Sequence, residues 1–287
     1  MANDDHVARL KKGSWFALGR DEDPKLALLK REKGVAAWNA WRDENPDIRP
    51  DLFEANLCQE FLIGANLREA YLRGADLSGS NLHGANLIGA NLWGANLGGA
   101  TLSHANLSRA DLTEASLCGA GLYGANLTAA MLHGVNLIGS TLDGADLRAA
   151  WLHDVNLRAA HLIGANLRGA DLQGATLVDT NLTDADLTGC RIYGVSAWSL
   201  KLERAKQQNL VITKYDEPTV TVDDIEVAQF VYLLLHNEKI RNVIDTIGKK
   251  GVLLLGRFTE GRMVVLERLR DKLTRLRADG LQLRHAV

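Results

Sequence analysis

Leucine recurs at every fifth residue without a break from Leu52 to Leu187, 28 positions in register, and Ile192 follows on the same step. Two places before each stands a small residue. It is alanine at 21 of the 28 places from Ala55 to Cys190; the exceptions are Glu60, Ser80, Val135, Ser140, Val155, Thr180 and Cys190. A period this strict sets an architecture before composition matters. Five residues turn a helix by roughly 500°, so successive leucines would wander around its surface, and continuous helix is excluded. In extended chain, positions i and i−2 share a side, so each small-x-Leu triplet turns two apolar side chains inward. The remaining two residues turn a corner, and Gly64, Gly74, Gly84, Gly94 and Gly99 stand at the second of them, where glycine tolerates the bend. The expected product is a solenoid with a stacked interior of Leu57, Leu67, Leu77, Leu87, Leu97, Leu107, Leu117, Leu127, Leu137, Leu147, Leu157, Leu167, Leu177 and Leu187.

A weaker ten-residue period lies over the five. The residue before leucine at 56, 66 and onward to 186 is Asn or Asp at 12 of 14 positions, with Ser116 and Thr176 as the others, whereas the alternate set from Phe61 to Arg191 is mixed. Such a period stacks cleanly only if a coil has an even number of faces, and four faces with twenty residues per coil is the economical reading. The units Ala-Asn-Leu-Ile-Gly (85–89), Ala-Asn-Leu-Trp-Gly (90–94) and Ala-Asp-Leu-Ser-Gly (75–79) resemble the A-(D/N)-L-x-x pattern of the pentapeptide-repeat family. The resemblance implies a right-handed quadrilateral β-helix over residues 51–195, about seven coils and roughly 34 Å long at ~4.8 Å per coil. The fold class expected is therefore mainly β, a β-solenoid with an N-terminal helical cap and a small C-terminal α/β or helical segment.

Residues 1–50 read as a polar tail and a capping helix. Asp23-Pro24 starts the helix, Pro46 ends it, and Gly34 is a candidate break. Trp38 and Trp41 are expected to cover the floor of the first coil, since repeat proteins need end caps; a binding groove is the alternative. Past Ile192 the period is expected to lapse, with Ala197 where a leucine is due and Leu200, Leu202 and Leu210 reading as out of step. Residues 196–287 are then a separate segment. Thr221 or Asp223 would cap a helix through about Leu235 whose apolar side is Val227, Phe230, Val231 and Leu234. A helix at 239–247, a strand at 252–255 and a basic amphipathic helix from Thr259 to near Gly280 follow. Asp224–Phe230 and Val252–Thr259 resemble the segment that in some bacterial pentapeptide-repeat proteins leads into a TIR-like domain. The resemblance spans roughly 219–277, and no residue here takes the acidic role of the NAD-cleaving members. It implies a docking remnant or truncated domain, not an active enzyme.

Catalytic signatures are absent from the sequence: no Walker loop, no paired CxxC, no HExxH. Neither cofactor nor metal is expected. Leu255–Thr259 has too few glycines to cradle a nucleotide, and His133 and His153 share a column but lack a third ligand. Cys58 and Cys118 face outward about three coils apart, ~14 Å and beyond disulfide reach, while Cys190 points inward. Reduced thiols and an acidic start, Met1-Ala-Asn-Asp-Asp, lead to the expectation of a cytoplasmic protein without export signal, and the apolar runs are too short to cross a bilayer.

What remains is the outer wall. Taking every twentieth residue places Phe53, Trp93, His133, His153 and Tyr193 in one column, with Tyr71, Met131 and Trp151 in the column beside it. Half-exposed aromatics along one side mark a candidate partner-binding face, unless they shield backbone or lie beneath the terminal modules. The rival reading is imitation of duplex DNA toward DNA gyrase, as some family members do. Residues 51–195 hold 14 Asp and Glu against 7 Lys and Arg, a net of −7, where duplex of the same ~34 Å carries ~20 charges. Arg68, Arg148 and Arg168 also share a column and interrupt any negative stripe. The function expected is a non-enzymatic scaffold acting through contact with a protein partner, a homodimer being one form of it. Direct binding to nucleic acid or membrane is not expected.

Overall fold

The structure is a computed structural model in which residues 24–239 are described. From Asp51 onward each outward residue of a triplet forms a parallel bridge with the residue twenty places further on: Asp51 with Tyr71, Asn56 with Asp76, Phe61 with Asn81, Asn66 with Asn86. Four such columns per turn make a four-faced β-helix. Each leucine amide donates forward and each outward residue's amide donates back, as in Leu72 N to Asn91 O at 2.7 Å and Asn91 N to Ala70 O at 2.9 Å. Every inner coil is thus paired above and below, which leaves backbone polar groups unmet only at the two ends.

The corners account for the Asn and Asp residues before leucine. The second corner residue lies in the left-handed region, at φ 65° for Gly64 and 55° for Ala129. Where Asn or Asp precedes the leucine, its Oδ1 accepts the amide two residues on, as Asn86 does from Ile88 at 3.2 Å and Asn126 from Thr128 at 3.0 Å, fastening the turn from its side chain. All fourteen leucines from Leu57 to Leu187 named above are at most 1% exposed, and the alanines two places before them are buried beside them. Two large side chains per triplet would overfill a close-packed interior, hence the alternation of leucine with alanine. Where the small place is polar, the group returns to backbone: Ser80 Oγ donates to Leu77 O at 2.6 Å and Thr180 Oγ1 to Leu157 O at 2.9 Å.

The ladder runs on past Val195, through Thr176–Ser196, Asn181–Lys201 and Asp186–Lys206 to Arg191–Val211. Left-handed corners continue at Ser199, Arg204 and Asn209. The expectation that the period lapses after Ile192 with Leu202 out of step is therefore corrected, while Leu200 and Leu210 do stand off the leucine step. Leu202 and Ile212 hold the leucine step, while Leu200, Ala205 and Leu210 take the small-residue places. In this last coil two triplets carry large residues at both inward places, Leu200 with Leu202 and Leu210 with Ile212, and all of these but fully buried Leu210 are partly exposed, so the close-packed interior has ended.

The first coil is closed by α1 (Pro24–Glu44), which passes Gly34 unbroken. Trp38 is wholly buried and its Nε1 donates to Asn66 O at 2.8 Å. Asn39 donates to Gly64 O at 3.0 Å and accepts the Asn66 amide at 2.8 Å. Buried Arg42 donates to Arg68 O at 3.2 Å and also to Ile48 O. Trp41 is partly buried against Trp38 with ring centroids 5.2 Å apart. These side chains supply what a preceding coil's backbone would have supplied.

At the other end β1 (Leu210–Val211) pairs antiparallel with β2 (Thr221–Val222), leading into α2 (Ile225–His236). The helix cap is Asp224, whose Oδ1 accepts the amides of Glu226 at 2.8 Å and Val227 at 3.0 Å, not Thr221 or Asp223. Asp223 instead accepts the Asn209 amide at 2.8 Å. The side of α2 expected to pack is corrected too, for Val227 and Phe230 are exposed while Ile225, Ala228 and Gln229 are buried. The last coil needs a polar partner for the Ala197 amide, which Gln229 Oε1 accepts at 2.8 Å, and this requirement sets the helix rotation. The helix at 239–247, strand at 252–255, helix at 259–280, the 255–259 loop and most of the TIR-like stretch lie outside the described residues.

Candidate functional site

The face whose middle column is Asp51, Tyr71, Asn91, Asp111, Met131, Trp151 and Asp171 carries most of the outward aromatic surface expected from the sequence. It divides into two groups. Near the first coil, partly buried Phe53 stacks on Tyr71 with centroids 5.8 Å apart, and the Arg73 guanidinium lies 4.2 Å from the centre of the Trp93 ring. Beyond polar Asn91, Asp111 and Thr113 come Met131, 43% exposed, and Trp151, 57% exposed. His153 packs beside Trp151 at 6.2 Å and faces His133 at 6.4 Å. Tyr193 belongs to neither group, because Tyr232 of α2 meets it edge-on at 5.1 Å and Lys214 lies 5.3 Å from its ring centre.

The segment 212–220, between β1 and β2, straps this face at the level of Asp171. Asp171 is 5% exposed and accepts from Gln173 N and Nε2, both at 3.1 Å, and from the Tyr215 hydroxyl. The Tyr215 ring lies nearly parallel to His153 at 6.5 Å, with the Arg191 guanidinium 3.9 Å from its centre, and Arg191 Nη2 donates to Thr213 O at 3.0 Å. Burial, and then the hydrogen bond to Asp171, push the Tyr215 phenol above its ordinary pKa. His153 Nε2 is 2.9 Å from Asp171 Oδ2 but is not aligned for a hydrogen bond, so that contact strengthens only when the ring is protonated. Among the described residues no three His, Cys, Asp or Glu side chains gather into a group able to hold a metal ion. The cluster's evident work is to pin the strap.

Asp171, Arg191 and Tyr215 were not legible as a unit in the sequence. Asp171 and Arg191 sit in the mixed column, and Tyr215 lies outside the repeat where no period points to it. A second aromatic run also escaped notice, on another corner, where His83, His104 and Tyr123 meet edge to edge at 5.6 and 5.4 Å.

Charge is distributed across the face from corner to corner. One corner carries Arg49, Arg68, Arg109, Arg148 and Arg168 with a single acid, Glu69, and the opposite one carries Glu54, Glu114 and Asp154 with a single arginine, Arg73. Arg148 pairs with Asp146 at 2.6 Å and Arg168 with Asp186 at 3.3 Å on the adjoining face, while Arg49 lies 3.5 Å from Glu69.

A four-faced coil with a filled leucine interior offers its chemistry only on the outer wall, which is the definition of a β-helical repeat protein. The family model of pentapeptide repeats matches in eight copies over residues 51–87, 80–118, 110–148, 120–158 and 150–189, and the chain belongs to the pentapeptide-repeat family. Among solved structures it is similar to HetL, a pentapeptide repeat protein involved in heterocyst differentiation regulation in the cyanobacterium Nostoc sp. strain PCC 7120, at 26% identity over 63% of this chain and 98% of that one, with a TM-score of 0.49. A pentapeptide repeat protein of the Arabidopsis thaliana thylakoid lumen is 31% identical over 38% of this chain and 69% of its own, with a TM-score of 0.25. The plasmid-mediated fluoroquinolone resistance protein QnrB1 is 21% identical over 52% and 83%, with a TM-score of 0.28. Comparison with curated proteins returns no match.

Proposed function

We propose that the chain is a non-enzymatic scaffold that binds a protein through the face bearing Tyr71, Trp93, Met131 and Trp151. The observation that carries this reading is the gathering of those four large side chains, exposed from 38% at Trp93 to 57% at Trp151, on one face of the coil; Ile63, Tyr123, Ile163 and Trp198 are exposed elsewhere on it. Large, stiff aromatic groups provide the anchors from which contact energy comes. The reading includes a cytoplasmic setting, in which outward Cys58 and Cys118 stay reduced. Capture from a lysate of the native host on immobilised wild-type chain and on a W93S/W151S variant tests it. A partner retained by the first and lost from the second, with unchanged circular dichroism, supports the reading; equal retention defeats it.

Duplex mimicry at DNA gyrase fits the charge less well. Beyond the −7 of residues 51–195, the continuing coil adds Lys201, Arg204 and Lys206 against Glu203, which thins the negative surface further. Purified protein is expected to leave gyrase supercoiling unchanged.

A further inference from the structure

We infer that the partner of the aromatic face is a second copy of the chain, lying alongside with the two coil axes parallel. This rests on the reading that this face is the contact surface. The argument is the position of charge relative to coil level. At the level of Asp51 one corner has Arg49 and the other Glu54; at Asp111 they are Arg109 and Glu114; at Trp151 they are Arg148 and Asp154. All six ends are exposed; Arg49 makes only a long surface pair with Glu69, while Arg148 already holds both Asp146 oxygens and would share its charge with Asp154 across the contact.

A two-fold axis running along the coils lays each arginine corner on the other copy's acidic corner at the same level. Arg49 meets Glu54, Arg109 meets Glu114 and Arg148 meets Asp154, each pair occurring twice, while at the level of Tyr71 the signs are reversed and Glu69, with Arg68 beside it, meets Arg73. A two-fold axis across the coils would lay arginine corner on arginine corner, which like charge opposes. The parallel arrangement also brings Tyr71, Met131 and Trp151 of the middle column onto their own counterparts, as a self-complementary interface requires; it lays Asp51 and Asp111 on theirs as well, a like-charge cost set against the Arg49 and Arg109 corners at the same levels. The Tyr215 strap ends the contact at Asp171. What remains, from the level of Asp51 to that of Trp151, is about 24 Å long at ~4.8 Å per coil, so the interface falls at the small end of stable ones and the dimer is reversible.

Two experiments on the full chain decide it. Sedimentation of R109E and of E114R, each alone, is expected to show self-association weakened about tenfold, and the double variant R109E/E114R to recover it. Recovery cannot come from damage to the fold, and absence of recovery overturns the proposal. For direction, Cys58→Ser and Cys118→Ser leave only Cys190, whose thiol is buried, donates to Leu167 O at 3.0 Å and is pushed up to about 12 by that burial. In that background Asn91→Cys and Met131→Cys, two coils apart in the middle column, are each expected to give a covalent dimer with a bis-maleimide spanning ~10 Å, the spacing of packed sheets, while Asn81→Cys on the opposite face is not crosslinked. Crosslinking at only one of the two positions indicates antiparallel packing and sinks the proposal. Monomer at every concentration also sinks it, and if the W93S/W151S pair still governs capture of another protein, the scaffold reading survives without it.

Discussion

At the residue scale, stability resides in a repeated pair, leucine and the small residue two places before it. Leu127 is 1% exposed in mid-coil, and Leu127→Ala is expected to lower unfolding free energy by about 3 kcal/mol, read as a shift in the denaturant midpoint. The corners behave oppositely to most sites. Ala149 holds φ 53°, a conformation a Cβ disfavours, so Ala149→Gly is expected to be neutral or stabilising by up to ~1 kcal/mol. Gly174 holds φ 70°, a conformation a Cβ disfavours, and an added Cβ would also displace the exposed Asp154 carboxylate, so Gly174→Ala is expected to destabilise in the same assay. Tyr215 gives a pH test. Its pKa is raised in the folded chain, so the strap's hydrogen bond to Asp171 contributes fully below the ordinary tyrosine pKa and is lost as pH climbs through the raised value. Ultraviolet titration should show one tyrosine ionising late, and Asp171→Asn should change that step and no other.

At the element scale, the ends carry the design problem that the repeat itself avoids. α1 answers it with Trp38, Asn39 and Arg42, which hydrogen-bond the open edge at Asn66, Gly64 and Arg68. Burial lowers the Arg42 pKa, yet it stays charged at neutral pH as a multiple donor. Arg42→Ala leaves edge carbonyls unmet and is expected to cost about 2–4 kcal/mol locally. Hydrogen exchange should then quicken at the amides of Leu52 to Leu67 while Leu107 to Leu167 keep their protection, because in a stacked array each coil leans only on its neighbours. The tryptophans of this cap were legible as apolar residues on a helix beside the repeat. The donors Asn39 and Arg42 were not, since which edge groups need partners emerges only once the first coil is in place. α2 teaches the same lesson: its apolar residues suggested one packing side, and the amide of Ala197 selected another.

At the scale of the whole coil, length is modular in steps of twenty. Deleting residues 96–115 removes one coil and joins like faces, so the variant is expected to fold with the same circular dichroism spectrum and retained self-association. Deleting only five residues, 96–100, turns everything after it by one face. Met131 and Trp151 then leave the face of Tyr71 and Trp93, and self-association is expected to vanish while the β signal persists.

The sequence alone determined the coil's period, an even number of faces and its leucine interior, and the bridges fixed the number of faces at four. It could do so because each residue's neighbours lie at the constant offset of twenty that the bridges display, so spatial proximity is written as periodicity. Tertiary structure decided whatever breaks that offset. Tyr215 reaches Asp171 across 44 residues, Gln229 reaches Ala197 across 32 and Arg42 reaches Arg68 across 26. The further coil beyond Val195 lay between these cases, since its hydrogen bonds are made by backbone that no side-chain pattern needs to announce.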